Sequence, residues 1–308
     1  MWHRAGDAFL RLDDNKMDWS PMKIGICGRA TLALMLIGVN VAWQVRADDA
    51  PEAVGAEEAK KKLNDLIEKS VDWYDVLPDA SAKSPLRAER VMRWRNVPRE
   101  QPGEPMIEAI MVVWVHNGRP EAMASIYPWD GFLHHEFGSL SRANKLVVRN
   151  HEAIVWAPGA AGVEFKNVPD APAPAAMPAA RLRQMKAIGE RFKGTMTGWK
   201  GDDSDREELR LLPRFLFRYD IEGARGSNPN LVDGAMFAFV LGTDPEIVLL
   251  LEAVGPKDEA VWQFALARAT SGGLEVRLDG KVVWTAAKFP PLDGLTSPQR
   301  TLRRPLVE

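Results

Sequence analysis

The chain has 308 residues, 46% hydrophobic and 27% charged, with a formal net charge of −2. That is ordinary globular composition. It excludes disordered and fibrous classes and carries no electrostatic footprint for nucleic acid or an anionic membrane surface. The one cysteine, Cys27, lies near the N-terminus, so the rest of the chain has no disulfide, thiolate metal site, iron–sulfur cluster or cysteine nucleophile.

Residues 22 to 47 read as a signal peptide. Lys23 and Arg29 give a positive start, Ala30 to Ala42 an apolar run, and Val45-Arg46-Ala47 the small-residue pattern of a cleavage site, with the cut between Ala47 and Asp48. The run is shorter than the ~20 residues of a membrane-spanning helix. A retained anchor is the alternative, but no stable membrane span is expected after cleavage. Residues 1 to 21 are polar and precede a normal signal, so they read as a non-native extension, with Met22 or Met17 as the start. The remainder, 48 to 308, is expected to be a single exported domain.

Residues 57 to 77 have the apolar spacing of an amphipathic helix (Leu63, Leu66, Ile67, Trp73, Tyr74, Leu77), closed by Pro78. A strand-rich region follows. Asn117-Gly118 between two apolar runs is a hairpin signal, and 132–141, 145–150, 152–158 and 162–168 add short strands. Residues 167 to 180 are rich in proline and alanine. They read as a stiff connector between two possible sheet-rich halves, ending at Pro178 in the first turn of a helix whose apolar face is Leu182, Met185, Ile188 and Phe192.

Residues 209–220 alternate apolar and basic positions, which predicts one half-buried strand with Pro213 pushing it toward a sheet edge. The apolar runs at 234–242 and 246–254 predict central strands covered on both faces. Residues 260–270 predict another strand, Asp279-Gly280 a second hairpin, and the segment from Pro290 onward a loose polar tail. Many hairpins without alternating strand and helix predict an α+β fold, mostly antiparallel sheet of about 11–13 strands, with two helices packed on one side.

His134-His135-Glu136 is the most conspicuous polar stretch. On a strand, successive side chains point to opposite faces, so His134 and Glu136 share one face with Phe132, and His135 shares the other with Leu133 and Phe137. At most His134 and Glu136 are two ligands, and zinc would need a third from elsewhere. His116 and His151 fall at hairpin ends, and H-E-x-x-H is missing. No metal or cofactor is therefore expected.

Arg210, Arg214 and Arg218 form an arginine stripe on the predicted strand, able to hold a carboxylate or phosphate ligand, or to pair with acids such as Glu252 and Asp244. Asp244 with Glu246 is either an acid/base pair or a turn between two apolar strands, and the turn is favoured. Asp203, Asp205 and Glu207 alternate like calcium ligands but lack the glycine and glutamate of a calcium loop, which leaves a solvated acidic loop. Residues 219 to 234 make a long polar loop, functional or a flexible insertion. No serine stands in a nucleophile elbow. The tryptophans sit within apolar strands, as core residues do.

The stretches RWRN (93–96), NGRPEAMASIY (117–127), HHEFGSLS (134–141) and GTDPEIVLLLEA (242–253) resemble those of exported bacterial proteins with no assigned function. The resemblance implies export and no particular catalytic residues. Three functions follow from the sequence: a non-catalytic binding or structural protein of the cell envelope, with an envelope component or small ligand as partner; a carrier of an apolar ligand between sheet and helices; or a metal-assisted hydrolase using His134 and Glu136.

Overall fold

The computed structural model describes residues 51–96, 107–197, 205–219, 221–224, 228–256, 259–289 and 294–306. The signal peptide, the extension before it and the Ala47–Asp48 cleavage site lie outside them. Residues Ala50–Glu308 form one compact unit.

The described residues open with helix α1 (Pro51–Ser70), a 3₁₀ turn (Val71–Trp73) and strand β1 (Asp75–Leu77). The predicted helix therefore stops seven residues early. Val76 and Leu77 are buried in a strand paired with 147–149, and this tertiary pairing overrides the helical spacing. Then come β2 (Arg87–Asn96), β3 (Ile107–His116), β4 (Arg119–Trp129), β5 (Phe132–Ser139), β6 (Val147–Asn150), β7 (Ala153–Trp156) and β8 (Lys166–Asn167). Helix α2 (Pro178–Glu190) starts with Pro178 in its first turn, as the sequence predicts. The second run holds β9 (Phe192–Thr197), β10 (Arg206–Leu211), β11 (Phe217–Arg218), the single turn α3 (Ile221–Ala224), β12 (Leu231–Leu241), β13 (Asp244–Val254), β14 (Val261–Arg268), β15 (Gly273–Leu278), β16 (Lys281–Ala286) and β17 (Gln299–Pro305).

The fold is α+β and mostly antiparallel sheet. Asn117-Gly118 and Asp279-Gly280 are hairpin turns with both residues at positive φ, the conformation that matches strand twist. Asp130-Gly131 makes a third such turn, between β4 and β5, with φ of 48° and 74°.

Three sheets stack around three apolar layers. Ile67, Val71 and Tyr74, with Val148 and Trp156 of the small sheet β1-β6-β7, cover one face of the sheet β17-β5-β4-β3-β2. Its other face, through Met111, Val113 and Met123, packs on Met236, Val248 and Leu250 of the nine-stranded sheet. The far face of that sheet, through Phe237, Phe239, Leu249 and Leu251, packs under Met185 and Ile188 of α2. β12 and β13 are thus buried on both faces, as their continuous apolar runs imply. The helices do not share a side. Each covers the outer face of a different sheet, because two face-to-face sheets leave two outer faces to bury.

Two further expectations fail. The strand predicted over 209–220 breaks at Pro213, which has no N–H for a ladder; β10 continues into a bend, and the chain rejoins β12 as β11. The tail is not loose in its described part. β17 pairs along β5 from Gln299↔Gly138 to Pro305↔Phe132, with Gln299 and Thr301 buried and Leu302 packed on the outer core.

Candidate functional site

Strand geometry divides His134-His135-Glu136 as its alternation requires. His135 turns outward into an aromatic cage, 5.0 Å from the Tyr74 ring and 5.5 Å from Trp73 by ring centroids, and is fully buried. Neither ring nitrogen has a hydrogen-bond partner. Burial, then the nearby Arg304 and His134, push its pKa down to about 3, so it is neutral in the folded protein at ordinary pH.

His134 and Glu136 turn the other way, into the space between the two large sheets. His134 stacks on Tyr127 at 5.2 Å, and burial followed by Arg303 lowers its pKa. Glu136 accepts a hydrogen bond from Tyr127 Oη at 3.3 Å and one from Gln299 Nε2 at 3.0 Å. Across the gap stand Glu246 and Asp244 of β13. Burial and then Glu246 raise the Glu136 carboxyl to about 8. Burial, Glu246 and Glu136 hold Asp244 well above the usual carboxylate range. The pair Asp244–Glu246 is therefore not a turn. The turn is Gly242-Thr243, and both acids lie in β13, where Asp244 pairs with Leu241.

A second polar cluster closes the same intersheet layer further along β13. Glu252, fully buried, accepts from Arg119 Nε and Nη2 at 3.0 and 2.7 Å and from Arg142 Nη2 at 2.5 Å. The Arg142 guanidinium lies 3.8 Å from the Phe165 ring centroid. Glu246, Val248, Leu250 and Glu252 occupy alternate positions of one strand and so share one face. That face is acidic at both ends and apolar in the middle.

The chain matches no family model, no curated protein and no solved structure. What the site can do thus rests on its own geometry.

The arginine stripe does not exist as a surface. Arg210 lies on β10 and donates to the Gly242 carbonyl at 3.3 Å; Arg214 is exposed in the bend after Pro213; Arg218 lies on β11 and pairs with Asp233. Asp233, buried, also accepts from Arg181 Nε at 2.7 Å. The arginines are separated because the strand expected to align them is broken. Nor do Glu252 and Asp244 serve as their partners: Arg119 and Arg142 take the former, and the latter faces Glu136.

Of the acidic stretch 203–207, Asp203 lies outside the described residues, while Glu207 is in β10, paired with Met196, rather than in a solvated loop. The polar loop of 219–234 is partly structured, since α3 and the start of β12 fall within it and Tyr219 and Asp233 are buried. Trp94, Trp114, Trp156 and Trp262 are buried in the core, whereas Trp129 is 45% exposed.

Among the described residues, no group of three or more His, Cys, Asp or Glu is placed to hold a metal ion. His134 and Glu136 gain no third ligand among the described residues. Two concavities among the described residues are open clefts. One, of about 230 Å³, lies between β14 and β16 (Phe264, Leu266, Val283, Trp284). The other, of about 290 Å³, lies beside Trp94 and Thr243. Both fall below the usual range for an enclosed ligand site, and in the layer beneath α2 Met185 and Ile188 pack against Phe237, Phe239, Leu249 and Leu251.

Tyr127, Ser125, Gln299, Arg119, Arg142 and Arg181 are site residues that the sequence reading does not single out. One signal was present: Glu246 and Glu252 stand in an otherwise apolar strand at the same parity, and a buried charge needs a partner.

Proposed function

We propose that the chain is an exported, non-catalytic binding or structural protein of the cell envelope. The observation that carries this reading is the fate of the polar stretch. His134, His135 and Glu136 are divided between two interior layers, where the two imidazole rings pack on aromatic neighbours and Glu136 accepts hydrogen bonds, instead of converging on a cleft. Glu252 is likewise enclosed by Arg119 and Arg142. The groups best suited to acid–base chemistry hold sheets together, and what they hold is a stacked-sheet platform.

Export rests on the signal pattern of residues 22–47 and on the resemblance of 93–96, 117–127, 134–141 and 242–253 to exported bacterial proteins. No helix among the described residues is long and apolar enough to cross a membrane. The test has two arms. Full-length protein expressed in a bacterium and recovered from the envelope fraction is expected to begin at Asp48. The purified protein is expected to leave a panel of esters, glycosides and peptides intact. Turnover that disappears in Glu136→Gln would overturn the non-catalytic reading, and an intact N-terminus in the cytosol would overturn export.

A further inference from the structure

The nine-stranded sheet curls until its two ends face each other. β16 is one end of the strand order and β14 with the short β8 is the other, yet Phe264, Leu266, Val283 and Trp284 line one cleft. No backbone ladder joins β14 to β16 across this seam. At one end a side chain spans it: Arg268 donates to the carbonyls of Ala287, just past β16, and Gly272 at 2.9 and 2.6 Å. At the other end β8 pairs with β14 only at Asn167↔Gln263 and Lys166↔Phe264.

Two hydrogen bonds fix which way the backbone of β14 faces. The Val168 N–H donates to the Trp262 carbonyl at 2.8 Å on the β8 side, and the Ala269 N–H to the Glu246 carbonyl at 2.8 Å on the β13 side. The ladder with β13 runs unbroken from Ile247↔Arg268 to Val254↔Val261, so even-numbered residues of β14 turn their N–H and C=O toward the seam. Leu266 is the next such position after Phe264. It is 4% exposed, and no hydrogen bond among the described residues continues the β8 ladder to its N–H or C=O. Buried backbone groups are nearly always paired, so this edge calls for a partner. The chain just before β8 is drawn away from it. The Gly162 N–H donates to the Ser141 carbonyl at 2.8 Å, and a Cβ on Gly162 would lie 2.1 Å from the Ser139 carbonyl oxygen. Residues 161–164 therefore line the cleft instead of pairing with Leu266.

We propose that this seam takes an extended peptide segment of a partner, added as a strand along β14 past the end of β8, with apolar side chains at alternate positions. A strand offers a donor and an acceptor at every second residue, which is what Leu266 lacks. The walls Phe264, Leu266, Val283 and Trp284 are apolar, and Lys166 and Glu164 set opposite charges at the rim. Selection thus falls on alternate apolar residues rather than on net charge. An acyl chain would cover the same walls and leave the Leu266 N–H and C=O unpaired. Leu266 lies too deep for a sheet edge of a folded second copy, whereas a tail or linker can enter. The cleft, of about 230 Å³, has room for side chains of such a strand rather than for a whole enclosed ligand. The seam deepens the binding reading above and rests on it. Turnover or a cytosolic location would sink that reading, while the outcomes below sink the seam alone.

The probe is a panel of capped heptapeptides with valine, leucine or phenylalanine at alternate positions, threonine between them and lysine at both ends. In the free full chain the Leu266 amide is expected to exchange at least about tenfold faster than those of Ala265 and Ala267, which face β13. A binding peptide is expected to slow Leu266 exchange at least about tenfold at saturation and to leave Ala265 and Ala267 unchanged. Its fully N-methylated counterpart keeps the side chains and loses every donor, and is expected to bind at least about tenfold more weakly. Val283→Asp puts a charge in the cleft and is expected to abolish the protection. Should that variant fail to fold, the N-methyl comparison on the wild type decides alone. Leu266 as protected as its neighbours in the free chain, or unmoved by every peptide of the panel, overturns the proposal. Equal affinity for the N-methylated peptide assigns the cleft to an apolar ligand without strand pairing and overturns it. Protection that grows with protein concentration alone, with a doubled mass by light scattering, assigns it to a second copy and overturns it as well.

Discussion

Gly234 and Tyr219 share one space. A Cβ on Gly234 would lie 2.4 Å from Tyr219 Cδ2 and 2.6 Å from Cε2. The Tyr219 N–H donates to the Gly234 carbonyl at 3.0 Å, and Gly234 pairs across the sheet with Glu252. The missing side chain lets the Tyr219 ring lie flat on β12 beside the Glu252 carboxylate. Gly234→Ala is therefore expected to cost about 1–3 kcal/mol through overpacking. In a Tyr219→Ala background the same change is expected to cost less by at least ~0.5 kcal/mol, the signature of direct contact in a double-mutant cycle. Urea midpoints measure both, and equal costs in the two backgrounds would refute the contact.

A different glycine isolates backbone strain from packing. Gly280 has φ of 81°, and a Cβ there would meet nothing within 4 Å. Gly280→Ala should cost about 1–2 kcal/mol, the penalty of a left-handed conformation alone. Replacing the distant Tyr219 should leave that cost unchanged.

The Arg119–Glu252–Arg142 cluster is asymmetric, because the Arg142 side chain is 37% exposed while those of Arg119 and Glu252 are 10% and 0% exposed. Removing Glu252 strands Arg119 in the interior, so Glu252→Gln is expected to cost about 3–5 kcal/mol. Arg142→Ala leaves Arg119 in place on Glu252 and should cost clearly less, near the ~1 kcal/mol of a partly exposed pair plus its packing on Phe165. Chemical denaturation of the two variants at one pH decides it, and a larger loss in Arg142→Ala would contradict the geometry.

β17 gives the sharpest contrast with a loose tail. It pairs along the full length of β5, and Trp156 Nε1 donates to the Ser297 carbonyl at 2.7 Å just before it. A chain ending at residue 297 would lose the Gln299 hydrogen bond to Glu136 and expose an edge of β5. The expected result is loss of cooperative unfolding or a strong rise in self-association, read by circular dichroism and light scattering. Unchanged behaviour would mean that β17 is dispensable.

What the sequence made legible follows from which signals are local. β12 and β13 were readable because a strand buried on both faces is apolar at every position, and Asn117-Gly118 because the turn type demands those residues. The opposite facing of His134 and His135 needed only the two-residue period of a strand. β17 was hidden because its buried face carries Gln299 and Thr301 and its other face mostly arginines, which reads as tail. The arginine stripe misled because alternation continues through Pro213 while the ladder does not. The partnership of Glu136 with Glu246 joins strands that are far apart in sequence, and only the stacking of the sheets brings them together.

His135 sets the acid limb of stability. It is neutral when folded, with its pKa lowered from 6.5 to about 3 by burial first and by Arg304 and His134 next. The unfolded chain takes up a proton below pH 6.5 that the folded chain refuses, so stability falls as pH drops from 6.5 toward 3. Glu136 acts the other way from 4.5 to about 8. Where the windows overlap, between 4.5 and 6.5, the two slopes oppose each other, and wild-type stability should be flattest there. His135→Phe fits the cage of Trp73 and Tyr74 and forfeits no hydrogen bond, since neither ring nitrogen makes one. Its folding constant relative to wild type should grow as pH falls from 6.5 to 3, by up to about tenfold per pH unit, and stay constant above 7. Unfolding midpoints of the two proteins from pH 3 to 9 test this. A His135→Phe advantage that does not change with pH would show that the imidazole is not held neutral by its cage.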